Sequence, residues 1–251
     1  MATNDLRPGM PTIGAERSVA TVDQGLRAFM LSIYNHMALG VAITGAVALG
    51  VFMLTTQTID GALSLTSFGR VIYGSPLQWV VILAPLAIVL FMSFGAARIS
   101  AGTARALFYI YAALVGLSMS AIFLIYTGGS IARVFFVTAA TFGALSLYGY
   151  TTKRDLSALG TFMFMGLVGL LIGSLVNLFL ASSAFQFVLT LGGVLVFAGL
   201  TAWDTQKLKN MYWEGHGAEE SEKLAIYGAL DLYLDFINLF MHLLRLLGDR
   251  R

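Results

Sequence analysis

Seven long apolar stretches organise the chain, at residues 28–54, 77–97, 106–126, 134–150, 158–180, 185–203 and 224–247. Most approach or exceed the roughly 20 residues that cross about 30 Å of hydrocarbon. The fourth is short and extends back through Ile131. Apolar residues run continuously in each stretch instead of alternating. The pattern therefore predicts helices, not the period-two strands of a membrane barrel. The expected fold is all-α, a polytopic membrane protein built as a seven-transmembrane-helix bundle. Pro85 lies inside the second stretch and predicts a kink there. TGGS at 127–130 and ASSA at 181–184 read as tight turns between antiparallel neighbours, and the most charged loop runs from about Lys207 to Lys223. The expected division is a cytosolic N-terminal tail over 1–26 and one transmembrane domain over 27–251, with a short helix closing the tail and running into the first span.

Composition agrees with this reading. Of 251 residues, 58% are hydrophobic and 11% are charged, against about 25% charged in a soluble domain. Too few charges are present to cover a globule. No basic cluster marks a nucleic-acid surface, and the net charge of +2 adds nothing to that. There is no cysteine, which excludes disulfides, thiol catalysis and thiolate metal sites. The first 26 residues lack the basic start, short apolar core and small-residue cleavage site of a signal peptide.

Orientation follows from the basic residues. With the N-terminus in the cytosol, that side holds Arg7, Arg17, Arg27, Arg98, Arg105, Lys153, Arg154, Lys207, Lys209 and Lys223. The other side holds Arg70, Arg133, Arg245, Arg250 and Arg251. The imbalance favours N-terminus in. Seven spans then place the C-terminus outside. Alternatively, the polar stripe of the seventh segment lets it enter and return, giving six spans and a re-entrant hairpin. Glycine is abundant, 27 in all, and Gly166, Gly169, Gly173, Gly192, Gly193 and Gly199 suggest close helix packing.

The candidate chemistry sits on charged positions within this apolar frame. On a helix with 100° per residue, Asp231, Asp235, Asn238, His242 and Arg245 fall within an arc of about 80° and run about 21 Å along the axis. Such a stripe must face protein or water, not lipid, so this helix is expected to line or plug the bundle interior. Asn238 suits an interhelical hydrogen bond. His242 and Arg245 sit near the exit end, where side chains can snorkel.

Asp204 stands near the end of the sixth span, in AWDTQ (202–206). If that helix continues to Lys209, Asp204 lies inside the interface and can face Asp231 or Asp235. Two carboxyl groups sharing a dry site can share one proton, and losing it creates repulsion or admits a cation. Oxygen ligands suit Ca²⁺. The expected site is thus a proton switch and weak cation site at Asp204 and Asp235, with Asp231 as a further acid. Arg98, ending the second span, is the expected counter-charge. Asn35, His36 and Asn177 are other polar residues inside spans, more simply read as packing groups. No GxGxxG, P-loop or HExxH appears, so no cofactor and no soluble-enzyme chemistry is expected. The YD and GxGD sequences of presenilin-type proteases are also missing.

AWDTQ, ALDLYLDFINLF (229–240) and TTKRDLSALGTFM (151–163) resemble the Bax-inhibitor family of membrane proteins, those with the transmembrane Bax inhibitor motif. The resemblance covers about residues 25–247. It implies seven helices with the last one central, and a pH-sensitive Ca²⁺ leak controlled by an aspartate pair. Carried over by motif, that pair is Asp204 and Asp235, and the arginine that latches to it maps onto Arg98. It also implies a bacterial inner-membrane setting. The alternative role is that of a non-conducting regulator that binds a membrane protease or another membrane protein. The ions expected on the first reading are Ca²⁺ or H⁺.

Overall fold

The computed structural model describes residues 13–59, 62–96 and 98–251, with side chains from Gln24 onward except at Ala62. The rest of the polar tail, residues 1–12, lies outside the described residues. Helix α1 spans Ile13–Thr55, so the expected short helix of the tail is continuous with the first span. It is followed by β1 (Thr56–Ile59), β2 (Ala62–Leu65) and α2 (Ser67–Gly74). Then come α3 (Leu77–Gly95), α4 (Ala101–Met119), the single turn α5 (Ile122–Ile125) and α6 (Gly128–Thr151). The chain closes with α7 (Ser157–Leu180), α8 (Ser183–Met211) and α9 (Ala218–Leu247).

Seven of these helical segments are long and apolar enough to cross a membrane: Gln24–Thr55, Leu77–Gly95, Ala101–Ile125, Gly128–Thr151, Ser157–Leu180, Ser183–Met211 and Ala218–Leu247. The chain is a multi-pass all-α membrane protein. Helix α9 is unbroken over 30 residues, about 45 Å, which is ample for a full crossing. Its end meets the α5–α6 junction: the Thr127 amide donates to the Asp249 carbonyl at 3.1 Å, and the Arg251 amide to Ile125 at 2.9 Å. The α9 start lies at the other end of the bundle, where Glu222 pairs with Arg105 at the start of α4. The seventh segment therefore passes through the bundle once, and the re-entrant alternative is not what the fold adopts.

The segment between the first two spans holds a hairpin and a short helix that the apolar runs do not announce. Strands β1 and β2 pair antiparallel, with Thr56 opposite Leu65 and Ile59 opposite Ala62. The residues between them are Asp60 and Gly61, a dipeptide that often closes two-residue hairpins. That signal was present but was hidden among long apolar runs. In α2, Thr66 caps the N-terminus by accepting from the Gly69 amide at 3.1 Å.

Helix α3 continues through Pro85, the residue expected to mark a kink. Proline has no amide hydrogen, so the carbonyl four residues earlier loses its helical donor. That carbonyl belongs to Val81, and the Ser118 hydroxyl of α4 donates to it at 2.5 Å. A neighbouring helix thus satisfies what the proline left open, as low-dielectric surroundings demand.

Helix α9 packs along α1, α4, α6 and α8. Its central window is 61% buried, against at most 39% for any other span. Helix α3 reaches α9 through the Tyr227 hydroxyl, which donates to the Met92 carbonyl at 2.9 Å. Helix α7 packs on α8 and is the outermost span. On the α1 and α4 side, the buried Tyr233 hydroxyl meets the Thr44 hydroxyl at 2.6 Å, and Thr44 donates to the Ala112 carbonyl at 2.8 Å. Of the glycines singled out, Gly166 and Gly199 face Val196 and Met163 across α7–α8, and Gly173 faces Leu189. Gly192 touches Leu170 at the distance of ordinary contact, whereas a side chain at Gly169 would meet open space.

Ser118→Ala should orphan the Val81 carbonyl inside the bundle. The expected loss is about 1 kcal/mol, measured as a lower midpoint of thermal unfolding in detergent. Ser118→Thr, which keeps the hydroxyl, should retain most of it. Equal midpoints for wild type and Ser118→Ala would remove this account of how Pro85 is accommodated.

Candidate functional site

Helix α8 buries Leu189, Gly193, Val196, Phe197, Leu200, Asp204 and Leu208, a three-to-four-residue rhythm that marks one face. Asp204 lies in this row between Leu200 and Leu208, so apolar packing on both sides carries it inward. The helix runs on to Met211, two turns beyond the acid. Helix α9 buries Leu232, Tyr233, Asp235, Phe236, Leu239 and Phe240 on the faces that meet its neighbours. Asp204 is 7% exposed and Asp235 is 4% exposed. The two acids line one groove between α8 and α9. The Asp235 Oδ2 atom has no hydrogen-bond partner among the described residues.

A lysine supplies the positive charge beside them. The Lys207 ammonium donates to Asp204 Oδ1 at 3.2 Å and to Asp231 Oδ2 at 3.1 Å. Asp231 is thus a bridging partner at the half-exposed edge, not a member of the buried pair. Lys207 also lies 5.3 Å from the centre of the Trp203 ring, in cation–π range. Trp203 in turn lies flat on Gly160 of α7, where any side chain would collide with the indole. The order is Gly160, Trp203, Lys207, then the acids.

Arg98, the counter-charge expected from the sequence, is exposed in the turn after α3 and forms no ion pair among the described residues. Its amide donates to the Gly95 carbonyl at 2.8 Å. The structure does not bring Arg98 to the acids. The cation comes instead from α8 itself, three residues after Asp204, a spacing that aligns side chains on one helix face. The signal was legible in AWDTQK, but Lys207 reads there as the first residue of a charged loop.

All five positions of the polar stripe come together. Asp231, Asp235, Asn238, His242 and Arg245 line a groove of about 600 Å³ with Asp204, Lys207 and the apolar side chains of α7. Among the described residues Asn238 makes no hydrogen bond to another helix. Its amide nitrogen donates to the Leu234 carbonyl of its own helix at 2.8 Å. His242 stacks on Phe197, ring centres 5.7 Å apart, and occupies the space left by Gly193. Its Nδ1 atom is buried without a partner among the described residues. Two of the other intramembrane polar residues have structural partners. His36 Nδ1 meets the Tyr109 hydroxyl at 2.6 Å. Asn177 accepts from the Ser182 amide and donates to Gln186 at the α7–α8 turn. Asn35 is exposed.

Gln206 has a role that sequence analysis missed. Its side-chain oxygen accepts from the Leu156 amide and its nitrogen donates to the Arg154 carbonyl, both at 2.8 Å. The AWDTQ segment therefore grips the α6–α7 connection, TTKRDLS. Two stretches that carry the family resemblance are one contact in space. Lys209 adds to it by donating to the Tyr150 carbonyl at 2.8 Å, near the C-terminal end of α6.

Among the described residues no group of three His, Asp or Glu side chains is placed to hold a metal ion. Two carboxyl groups on one groove with a lysine beside them fall short of a preassembled Ca²⁺ cage, which takes 6–8 oxygen ligands.

Fold and site together define a seven-helix membrane protein with a buried carboxyl pair between its last two spans. The sequence profile of the family described as Inhibitor of apoptosis-promoting Bax1 matches residues 26–251. The chain belongs to this Bax-inhibitor family. It is 45% identical over 236 residues to the inner membrane protein YbhL of Escherichia coli strain K12, covering 93% of this chain and 97% of that one. It is 49% identical over 231 residues to the protein RP147 of Rickettsia prowazekii, covering 92% and 93% of the two chains. A protein of Caulobacter vibrioides is 43% identical over 250 residues, 99% of each chain.

Gln206→Ala removes two hydrogen bonds worth about 1 kcal/mol each. Hydrogen–deuterium exchange should quicken over residues 152–157, most of all at the Leu156 amide. Protection matching that of wild type would show that the connection holds without the clamp.

Proposed function

We propose that this protein is a pH-sensitive cation leak pathway of the bacterial inner membrane, with Ca²⁺ as the expected ion and its more basic end in the cytosol. The observation that carries this reading is the burial of both Asp204 and Asp235 at one end of the same polar groove. In this scheme the pair shares a proton when closed. Raising the pH removes that proton and leaves two adjacent negative charges. Their repulsion separates α8 from α9 and also attracts a cation into the groove. Lys207 opposes both effects, because it neutralises the acids and bridges α8 to Asp231 of α9. In this scheme Lys207 takes the closing role expected of Arg98.

The positive-inside rule supports the orientation. Arg27, Arg105, Lys153, Arg154, Lys209 and Lys223 lie at or beyond the span ends at one end of the bundle, whereas Arg70, Arg133, Arg250 and Arg251 lie towards the other. The inner-membrane setting draws support from the YbhL relative.

Ca²⁺ flux into proteoliposomes of purified protein, followed against pH, tests this directly. Wild-type flux should rise with pH. Asp235→Asn and Asp204→Asn should each flatten that profile, since neither leaves two acids to share a proton. Unchanged profiles in both variants would leave the pair with no gating role. A complete lack of flux in wild type would turn the reading to the non-conducting regulator of a membrane protease.

Lys207→Gln should raise basal flux severalfold at a pH where wild type is closed, and Lys207→Arg should restore closure. Wild-type basal flux in a correctly inserted Lys207→Gln protein would remove the bridge from the mechanism.

A further inference from the structure

On the face away from the polar groove the bundle is split lengthwise. Helix α1 packs on α4 and α9, and α6 packs on α8 and α9. Between α1 and α6 lies a cleft of about 930 Å³. A smaller cavity of about 330 Å³ continues it, and the two share Val41, Gly45, Phe135 and Phe236. Phe236 of α9 forms the floor.

The facing walls carry small residues, among them Ala42 and Gly45 on α1 and Gly143 on α6. Small faces ordinarily draw membrane helices together. Here a side chain built on Gly45 or on Gly143 would meet nothing within 4 Å. The two helices are held apart by what α9 places between them, and the space is open to an occupant.

The chemistry of the cleft is graded along its length. From Arg27 to Gly45 it runs about 27 Å along α1. Its middle is aliphatic and aromatic, while Arg27, Tyr34 and Tyr150 gather at one end. Arg27 is exposed and has no ion pair among the described residues. The Lys209 ammonium, 5.1 Å from the Tyr150 ring centre, adds positive charge at that end. An amphiphile with an apolar tail and a negative head complements this gradient.

Size decides between a helix and a lipid chain. A helix about 10 Å wide and 27 Å long fills roughly 2,100 Å³, more than the cleft holds. An acyl chain is far thinner, and each leaflet offers chains about 15 Å long, shorter than the cleft. We propose that the α1–α6 cleft is a binding site for an anionic phospholipid, with the phosphate at Arg27 and one acyl chain running past Gly143 along the cleft towards Gly45.

Native mass spectrometry of the detergent-purified protein, with phosphatidylglycerol or phosphatidylcholine added at equal concentration, reads this site. Wild type should retain phosphatidylglycerol at least fivefold more than phosphatidylcholine. Gly45→Leu and Gly143→Leu, each filling open space from a different wall, should lose that retention while keeping the wild-type melting midpoint. Arg27→Gln should keep some lipid but lose the preference for the anionic head. Equal retention of both lipids by wild type, or full retention of phosphatidylglycerol in both filled variants, would overturn the proposal. So would a dimer of this chain that dissociates on filling the cleft, since a second copy would then be the occupant.

Discussion

The structure depends on one costly placement, two carboxyl groups buried among apolar helices. An acid facing lipid at this depth costs a few kcal/mol. The last helix can therefore be stable only with its polar stripe turned from the hydrocarbon and its other faces covered. That requirement explains why α9 is the most buried span. It also explains why α8 carries Asp204 within an otherwise apolar row, since the partner acid has to be met from inside.

The two sides of α9 are held by interactions of different kinds. Towards α1, α4 and α6, Tyr233 meets the edges of Phe108 and Tyr111, and Phe236 and Phe240 meet Phe135 and Phe142. Each such pair adds about 0.5–1.5 kcal/mol beyond its buried area, and the Tyr233–Thr44 bond fixes the register. Towards the groove, the Lys207–Asp231 bridge joins two side chains that are each more than a third exposed. Bridges of that kind contribute about 0–1 kcal/mol. The acids and this bridge lie on the α8–α9 seam, where His242 also stacks on Phe197 and Leu208 packs on Gly228.

Much of this was legible in the sequence because membrane helices write their period and length directly into apolar runs. The stripe from Asp231 to Arg245 came through for the same reason: helix geometry fixes which side chains share a face, whatever lies opposite. Long-range partners were not legible. Gln206 reads as a polar residue at a helix end, and only the fold shows that it holds Arg154 and Leu156 from some 50 positions away. Gly160 reads as one more small residue, and only packing reveals the indole that lies on it. Lys207 reads as the start of the charged loop because the apolar run ends before it, yet α8 carries it on the helix. The sequence marks where hydrophobicity ends, whereas the helix ends only where its hydrogen bonds stop, at Met211.

The source of the counter-charge has a physical consequence. A cation brought by another span requires that span to be held in place. Helix α3, which carries Arg98 beyond its end, touches α9 through the Tyr227–Met92 bond and α4 through Ser118 and Val81. Lys207 needs no such support for its contact with Asp204, because both belong to one helix at i,i+3 spacing. That contact survives any rigid movement of α8. The contact with Asp231 does not, since it crosses from α8 to α9. The charge balance of the buried pair and the closure of the seam are therefore separate properties of one side chain. In the proposed scheme, movement of the helices breaks the bridge while leaving Lys207 on Asp204, so the carboxyl groups it leaves behind are those of Asp235 and Asp231 on the last helix.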